Sequence, residues 1–292
     1  MGRYRYVVAA LLFVAGMINY MDRAALAVAA PLVRHDLHLS PSQLGLIFST
    51  FFFGYTIFTF VGGTLADRYG PKRIFTWAMA GWSVACAATA GMTGFVSLLA
   101  CRAVFGVGEA PMCTTTTKTI SNWFPREETG TMIGVTFAGQ PIGSALAGPI
   151  VGFVALAYGW RVSFLVIGVL GLLWVLAWRL LVTDLPGQHP RVSAAEARLI
   201  TESRAAYMPP ERETGSLFSF LMRRSVIAVG VSLFAANYVI YFFMSWLPTY
   251  LTDALHLDIQ HMAIISMIPW MCGAVGYIGG GLISDGLARR SG

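Results

Sequence analysis

The feature that most constrains this chain is a charged pair inside an apolar run long enough to cross a bilayer. Asp22 and Arg23 sit within Tyr6 to about Ala30, flanked by Val7–Phe13 on one side and Ala24–Ala30 on the other. A span needs roughly 20 residues. A carboxylate and a guanidinium inside one cost several kcal/mol unless each finds a partner or a wet cavity. Such a pair marks a functional site by default. An apolar run this long, carrying charges, is not the short core of a cleaved signal peptide, although Arg3, Arg5 and Ala27-Val28-Ala29 mimic parts of one.

Composition agrees. Of 292 residues, 56% are hydrophobic and 12% charged, against about 25% charged in soluble domains. The mean hydropathy is +0.65. An all-α, polytopic membrane protein is expected. The net charge of +6 fits basic cytoplasmic loops, and no nucleic-acid-binding module is visible. Cys86, Cys101, Cys113 and Cys272 lie in apolar runs without metal or redox spacing. They read as small buried hydrophobes.

Eight spans are predicted, at about 6–30, 44–66, 74–92, 96–117, 131–155, 162–182, 225–251 and 263–283. Lys and Arg alternate between loops: Arg3 and Arg5, then Arg68, Lys72 and Arg73, then Lys118 and Arg126, then the arginines of 184–224. The opposite loops hold little beyond Arg34 and Arg161. The bias puts the N-terminus in the cytoplasm. The division is then 1–183, a six-helix half; 184–224, a cytoplasmic linker; and 225–292, two helices of a second half. Ser193 to Glu196 forms a capping box opening a short helix to about Tyr207, and Met208-Pro209-Pro210 ends it. The linker reads as solvated.

An internal repeat supports two halves. Gly62-Gly63-Thr64-Leu65-Ala66-Asp67 closes the second span, and Gly280-Gly281-Leu282-Ile283-Ser284-Asp285 closes the second span after the linker. Two repeats of six make twelve spans, and the sequence supplies eight. The expectation is a chain cut after the eighth helix, as a fragment or a short form. A short form acting alone would need another chain to supply the missing helices.

The four charges deep in spans are Asp22, Arg23, Arg102 and Glu109, and they sum to zero, as burial demands. Arg102 and Glu109 are seven apart, on one helix face. Asp22, when ionised, holds an arginine, best Arg102; protonation of Asp22 then frees that arginine for an anion. Glu109 is a second proton site. A purely structural ion-pair network is the alternative. No Ser/His pair, nucleophile or metal set lies in the spans, so an enzyme is not expected and no cofactor beyond a coupling proton is implied. His35, His38, His189, His256 and His261 fall in loops and read as solvated.

Gly63, Asp67, Arg68, Gly70, Lys72 and Arg73, in Gly63-Thr64-Leu65-Ala66-Asp67-Arg68-Tyr69-Gly70-Pro71-Lys72-Arg73, resemble the signature loop between helices 2 and 3 of the major facilitator superfamily. Physically, the glycines permit close helix approach, and Asp67 can accept from a neighbouring helix N-terminus. The resemblance implies a conformational latch. Tyr20-Met21-Asp22-Arg23-Ala24, Tyr55, Arg102 with Glu109-Ala110-Pro111, Trp123-Phe124-Pro125, Gln140 and Trp246–Leu251 resemble the anion:cation symporter family within it, which includes bacterial sugar-acid:proton symporters. That resemblance implies an inner-membrane transporter. Arg23 or Arg102 would grip a substrate carboxylate, bidentately, and Tyr20, Tyr55 and Gln140 would bond a polyol chain. Membrane lipid and an organic anion, a sugar acid, are the implied partners. Sodium coupling and aromatic acids stay open. Asn237, Tyr238 and Tyr241 are candidates for the opposite wall.

Overall fold

The computed structural model describes residues 3–205, 219 and 221–291. The predicted break at Met208-Pro209-Pro210 lies outside them, and so do the side chains of Ser284, Asp285, Arg289 and Arg290. Twelve α-helices are described: α1 Arg5–Asp36, α2 Pro41–Tyr69, α3 Pro71–Thr89, α4 Phe95–Glu109, α5 Met112–Trp123, α6 Arg126–Phe137, α7 Gly139–Tyr158, α8 Trp160–Leu181, α9 Ala194–Ala205, α10 Arg224–Asp253, α11 Ile259–Ile265 and α12 Met267–Ser291. A 3-10 turn covers Pro186–Gln188.

The expected spans correspond to α1, α2, α3, α4 with α5, α6 with α7, α8, α10, and α11 with α12. Seven of these rods are long and apolar enough to cross a membrane. The exception is α3, with 19 residues, because Lys72 and Arg73 occupy its first turn. Helices outrun the apolar stretches because only the mid-bilayer part must be apolar. At the start of α2, Ser40 accepts from the Gln43 N–H, the Gln43 side chain accepts from the Ser40 N–H, and Pro41 opens the helix. Phe53, Phe60 and Trp77 project outward, as lipid-facing side chains do.

Glycines set where rods cross. A Cβ on Gly106 would lie 2.1 Å from the Phe51 carbonyl, and one on Gly143 would lie 2.0 Å from that of Met17. These are backbone-to-backbone approaches of α4 on α2 and of α7 on α1, which no other residue permits. Gly139 on α7 approaches the Phe13 carbonyl of α1 as closely, at 2.2 Å from a Cβ built on it. The repeat glycine Gly281 meets Gly134 on α6 in the same way.

α1 is the central rod. It packs on α6, α7, α8 and α10, and every residue from Ile18 to Ala30 is buried. Asp22 and Arg23 point about 100° apart on it, yet both are interior.

The described start of the linker, residues 184–205, is not merely solvated. Ser193 Oγ accepts from the Glu196 N–H at 3.2 Å, half of the expected capping box. The Glu196 carboxylate does not turn back to complete it. It is buried and accepts from the backbone N–H groups of Tyr4 and Arg5, both at 3.2 Å. Arg5 also reaches Glu128 on α6 with two bonds, at 3.1 and 3.2 Å. Thus α9 is fastened to the first turn of α1, because exposed helical N–H groups there attract an anion. His189 is buried too. Its ring stacks on Tyr4 at 4.3 Å and its Nδ1 accepts from the Arg191 N–H. His35 closes the last turn of α1, and His261 opens α11 with its backbone N–H donated to Asp258. His35 and His261 thus lie in helices and not in loops, though both are exposed as expected, whereas His189 lies in a loop as expected but is not solvated.

Candidate functional site

The site forms around a break in one rod. Pro111 has no N–H to return to Val107, so the helix begun at Phe95 stops at Glu109 and resumes at Met112. The Pro111 carbonyl accepts from the Thr115 N–H at 2.9 Å and from the Thr114 and Thr115 hydroxyls at 3.0 and 2.7 Å. Glu109 stands at this break with no solvent exposure.

Arg23 reaches it from α1. Arg23 Nε donates to Glu109 Oε2 at 2.5 Å, and Arg23 Nη1 donates to the Tyr241 hydroxyl at 2.7 Å. The guanidinium carbon lies 4.6 Å from the ring centre of Tyr55, 4.9 Å from Tyr20 and 5.0 Å from Phe51. Three aromatic faces and one carboxylate compensate this buried cation.

The pairing differs from the sequence expectation. Asp22 holds no arginine within ion-pair distance among the described residues. Its Oδ1 accepts from the Cys86 thiol at 3.3 Å, and its Oδ2 has no partner there. Cys86 is therefore more than a small hydrophobe. Of the other cysteines, Cys101 and Cys113 are half-buried and Cys272 is exposed.

Arg102 is 5% exposed. Its Nε and Nη2 have no hydrogen-bond partner among the described residues, and its guanidinium lies 5.2 Å from the Phe105 ring centre. Arg102 and Arg23 line one small cavity of about 30 Å³ together with Phe48, Phe52 and Tyr241. That is room enough for ordered water.

Tyr20 and Gln140 line a second cavity, about 220 Å³, with Pro141, Phe243, Trp270 and Tyr277. Gln140 is buried, and its amide reaches Met112 Sδ at 3.9 Å. Tyr55 turns its ring to Arg23 and its hydroxyl to Cys113 Sγ, 3.7 Å away. So Arg23, Tyr20, Tyr55 and Glu109 converge, Arg102 and Gln140 border them, and Asp22 faces the other way. Of the candidates on α10, Tyr241 enters the site; Tyr238 is exposed, and Asn237 donates to the Leu233 carbonyl. Tyr277 on α12 was not anticipated, because an aromatic in a span gives no sign of facing inward.

The signature loop joins α2 to α3. Gly70 has φ +85°, which lets α2 turn directly into α3. Gly63 stands 3.6 Å from the Thr114 methyl, measured from a built Cβ. Asp67 pairs with Lys118 on α5, not with a helix N-terminus. That role belongs to Asp184, whose Oδ1 accepts from the Lys72 N–H at 2.9 Å. The same segment is held by Trp123 Nε1, which donates to the Thr183 carbonyl at 3.0 Å, and by Asn122 Nδ2, which donates to that of Asp184 at 3.1 Å. Trp178 Nε1 donates to the Lys72 carbonyl from α8 at 3.3 Å. Arg68 lies over Tyr69 and Arg73 is exposed.

The sequence pattern described as "Major Facilitator Superfamily" matches residues 12–291. The chain is 42% identical over 280 residues to the hexuronate transporter of Bacillus subtilis (strain 168), covering 96% of this chain and 64% of that protein. It is 32% identical over 292 residues to the probable sulfoacetate transporter SauU of Cupriavidus necator, covering 99% and 66%. It is 30% identical over 306 residues to the probable galactarate/D-glucarate transporter of Escherichia coli (strain K12), covering 98% and 68%. The chain thus spans about two thirds of the length of these relatives. Among solved structures, it is similar to a bacterial homolog to the human lysosomal transporter Spinster in an inward-facing and unoccupied conformation, with a TM-score of 0.75 at 22% identity over 99% of this chain and 64% of that one. The fold is the six-helix first half of such a transporter with the first two helices of the second. With the pattern running from the first quarter of α1 to the end of α12, the chain belongs to the major facilitator superfamily.

Proposed function

We propose that this chain carries the N-terminal half, and the start of the C-terminal half, of a proton-coupled symporter for an organic carboxylate, a sugar acid. It works in the bacterial inner membrane with its N-terminus in the cytoplasm, and it is a transporter, not an enzyme. The division is a six-helix unit over 1–183, a linker over 184–224 and a partial second unit from 225.

Arg102 carries this reading. A buried guanidinium without an anion partner is costly, and an incoming carboxylate would supply the missing charge through a bidentate fork. Arg23 already has Glu109, so protonation of Glu109 would release a second arginine to the same small cavity. Asp22, which forms no ion pair with either arginine among the described residues, is the other proton site. Tyr20, Gln140 and Tyr55 border the space where a hydroxylated chain would extend. The loop from Gly63 to Arg73 serves as the latch of alternating access. The hexuronate and galactarate relatives support a sugar acid; the sulfoacetate relative supports a smaller anion at the same arginines.

The test is uptake by the purified full chain in vesicles with an imposed pH gradient. Hexuronate, galactarate and sulfoacetate are compared, with sodium and proton gradients varied separately. The expected result is accumulation of a sugar acid driven by an inward proton gradient. Accumulation driven by sodium alone, or no binding of any carboxylate, overturns the proposal.

A further inference from the structure

Asp22 shares its compartment with α3 and α8. The Cys86 sulfur lies 3.3 Å from Asp22 Oδ1 and 3.6 Å from the Phe164 carbonyl oxygen on α8. A thiol has one hydrogen. It can serve only one of these two acceptors well at a time.

Which acceptor wins depends on the charge of Asp22. An ionised carboxylate is much the stronger acceptor. A protonated carboxyl carries its own hydrogen and competes poorly, whereas the Phe164 carbonyl keeps a second lone pair after its helical bond. A second observation points to the same pocket. Asp22 Oδ2 and Trp82 Nε1 are both buried, and they face each other beyond normal hydrogen-bond distance, with no closer partner among the described residues. Trp82 lies four residues before Cys86, on the same face of α3. The charged groups facing the pair are Arg102 and Glu109 from α4, with Arg23 beside Asp22 on α1; α8 faces it with a carbonyl.

We propose that Cys86 is a positioning residue for Asp22, whose thiol hydrogen points to the Asp22 carboxylate when that group is ionised and to the Phe164 carbonyl when it is protonated. The proton that binds stays on Asp22, and the thiol only exchanges hydrogen-bond acceptors. The exchange ties α3 to α1 in one protonation state and to α8 in the other. This rests on the reading that Asp22 takes up the coupling proton.

The test is the S–H stretching band in the infrared spectrum of the purified full chain, recorded across pH. Cys86→Ala assigns the band by its disappearance. The expected result is a strongly hydrogen-bonded band at high pH that moves to a weaker-bonded position as pH falls, and a band that stays fixed in Asp22→Asn. Cys86→Val should move the pH midpoint of proton-driven uptake by about one unit, the size of one lost hydrogen bond to a charged group. Cys86→Ser should restore the midpoint. A wild-type band that does not move with pH, or that moves equally in Asp22→Asn, overturns the role of Cys86. The two readings separate cleanly. A static band in a chain that takes up anions with protons sinks only the thiol's role. A band that titrates with Asp22 in a chain that takes up nothing sinks only the transport reading.

Discussion

Arg23 Nε lies 2.5 Å from Glu109 Oε2, joining α1 to the end of α4 across 86 residues of sequence, with neither side chain open to solvent. The pair is held from both sides. Tyr20, Phe51 and Tyr55 give ring faces to the guanidinium, and the Pro111 break fixes Glu109. Removing one partner leaves a buried charge uncompensated. Glu109→Ala should therefore cost about 3–5 kcal/mol of stability. Replacing both members with methionine should recover most of that loss. Equilibrium unfolding in detergent checks the pair, and a double variant as weak as the single would show that Arg23 is satisfied by the aromatic rings alone.

Arg102 predicts the opposite pattern. No acceptor among the described residues meets its Nε or Nη2. Arg102→Met should unfold no more readily than the parent, and removing an unpaired buried charge should even stabilise it. Carboxylate binding should be lost. The parent should gain about 2.7 kcal/mol of stability at a carboxylate concentration one hundred times its Kd, and Arg102→Met should gain none. Thermal shifts with and without carboxylate measure both effects. Full ligand stabilisation of Arg102→Met would remove Arg102 from the binding site.

The helices were legible from the sequence because a bilayer imposes a length and an apolar composition, and both are local properties. The glycines were legible as contact points, though not their partners. The pairing of charges was not legible. Asp22 and Arg23 are adjacent, and a rotation of α1 by one residue decides which of them faces α4. Asp184 and Glu196 were hidden for another reason. Each sits in a polar stretch that looks solvated, and the group it caps belongs to a helix more than 100 residues away. Tyr241 and Tyr277 were indistinct among the many aromatics of their spans, since facing inward leaves no mark in composition.

His189 gives a pH prediction outside the membrane. It is buried between Tyr4 and Trp123. Burial, then the nearby charges of Arg191 and Lys72, hold its folded pKa below the ordinary histidine value. The unfolded chain then binds more protons than the folded one between the folded pKa and about 6.5. Stability should rise with pH through that window. It should be fully present above about 6.5 and decline as pH falls toward the folded pKa. His189→Phe keeps the ring stack and removes the titration. Its unfolding free energy should lose this slope below about pH 6.5, measured against the parent in the same detergent; an unchanged slope would assign it to other groups.

The turn between α2 and α3 offers a test of coupling between two residues. Gly70 has φ +85° and ψ 144°, a conformation close to one found almost only for glycine. A Cβ there would also lie 2.7 Å from Asp184 Oδ1 and 2.9 Å from its Oδ2. Asp184 in turn accepts from the Lys72 N–H at the start of α3. Asp184→Ala removes a helix cap and its favourable charge, a loss of about 1–2 kcal/mol. Gly70→Ala carries about 1–3 kcal/mol of backbone strain and displaces the same carboxylate. The two changes therefore share one loss. In the Asp184→Ala background the carboxylate is already gone, so Gly70→Ala should cost less there, leaving only its backbone strain. A double-mutant cycle measured by unfolding should show the double variant more stable than the sum of the singles predicts. Strict additivity would mean that the carboxylate moves aside freely and that Gly70 is required for its backbone alone.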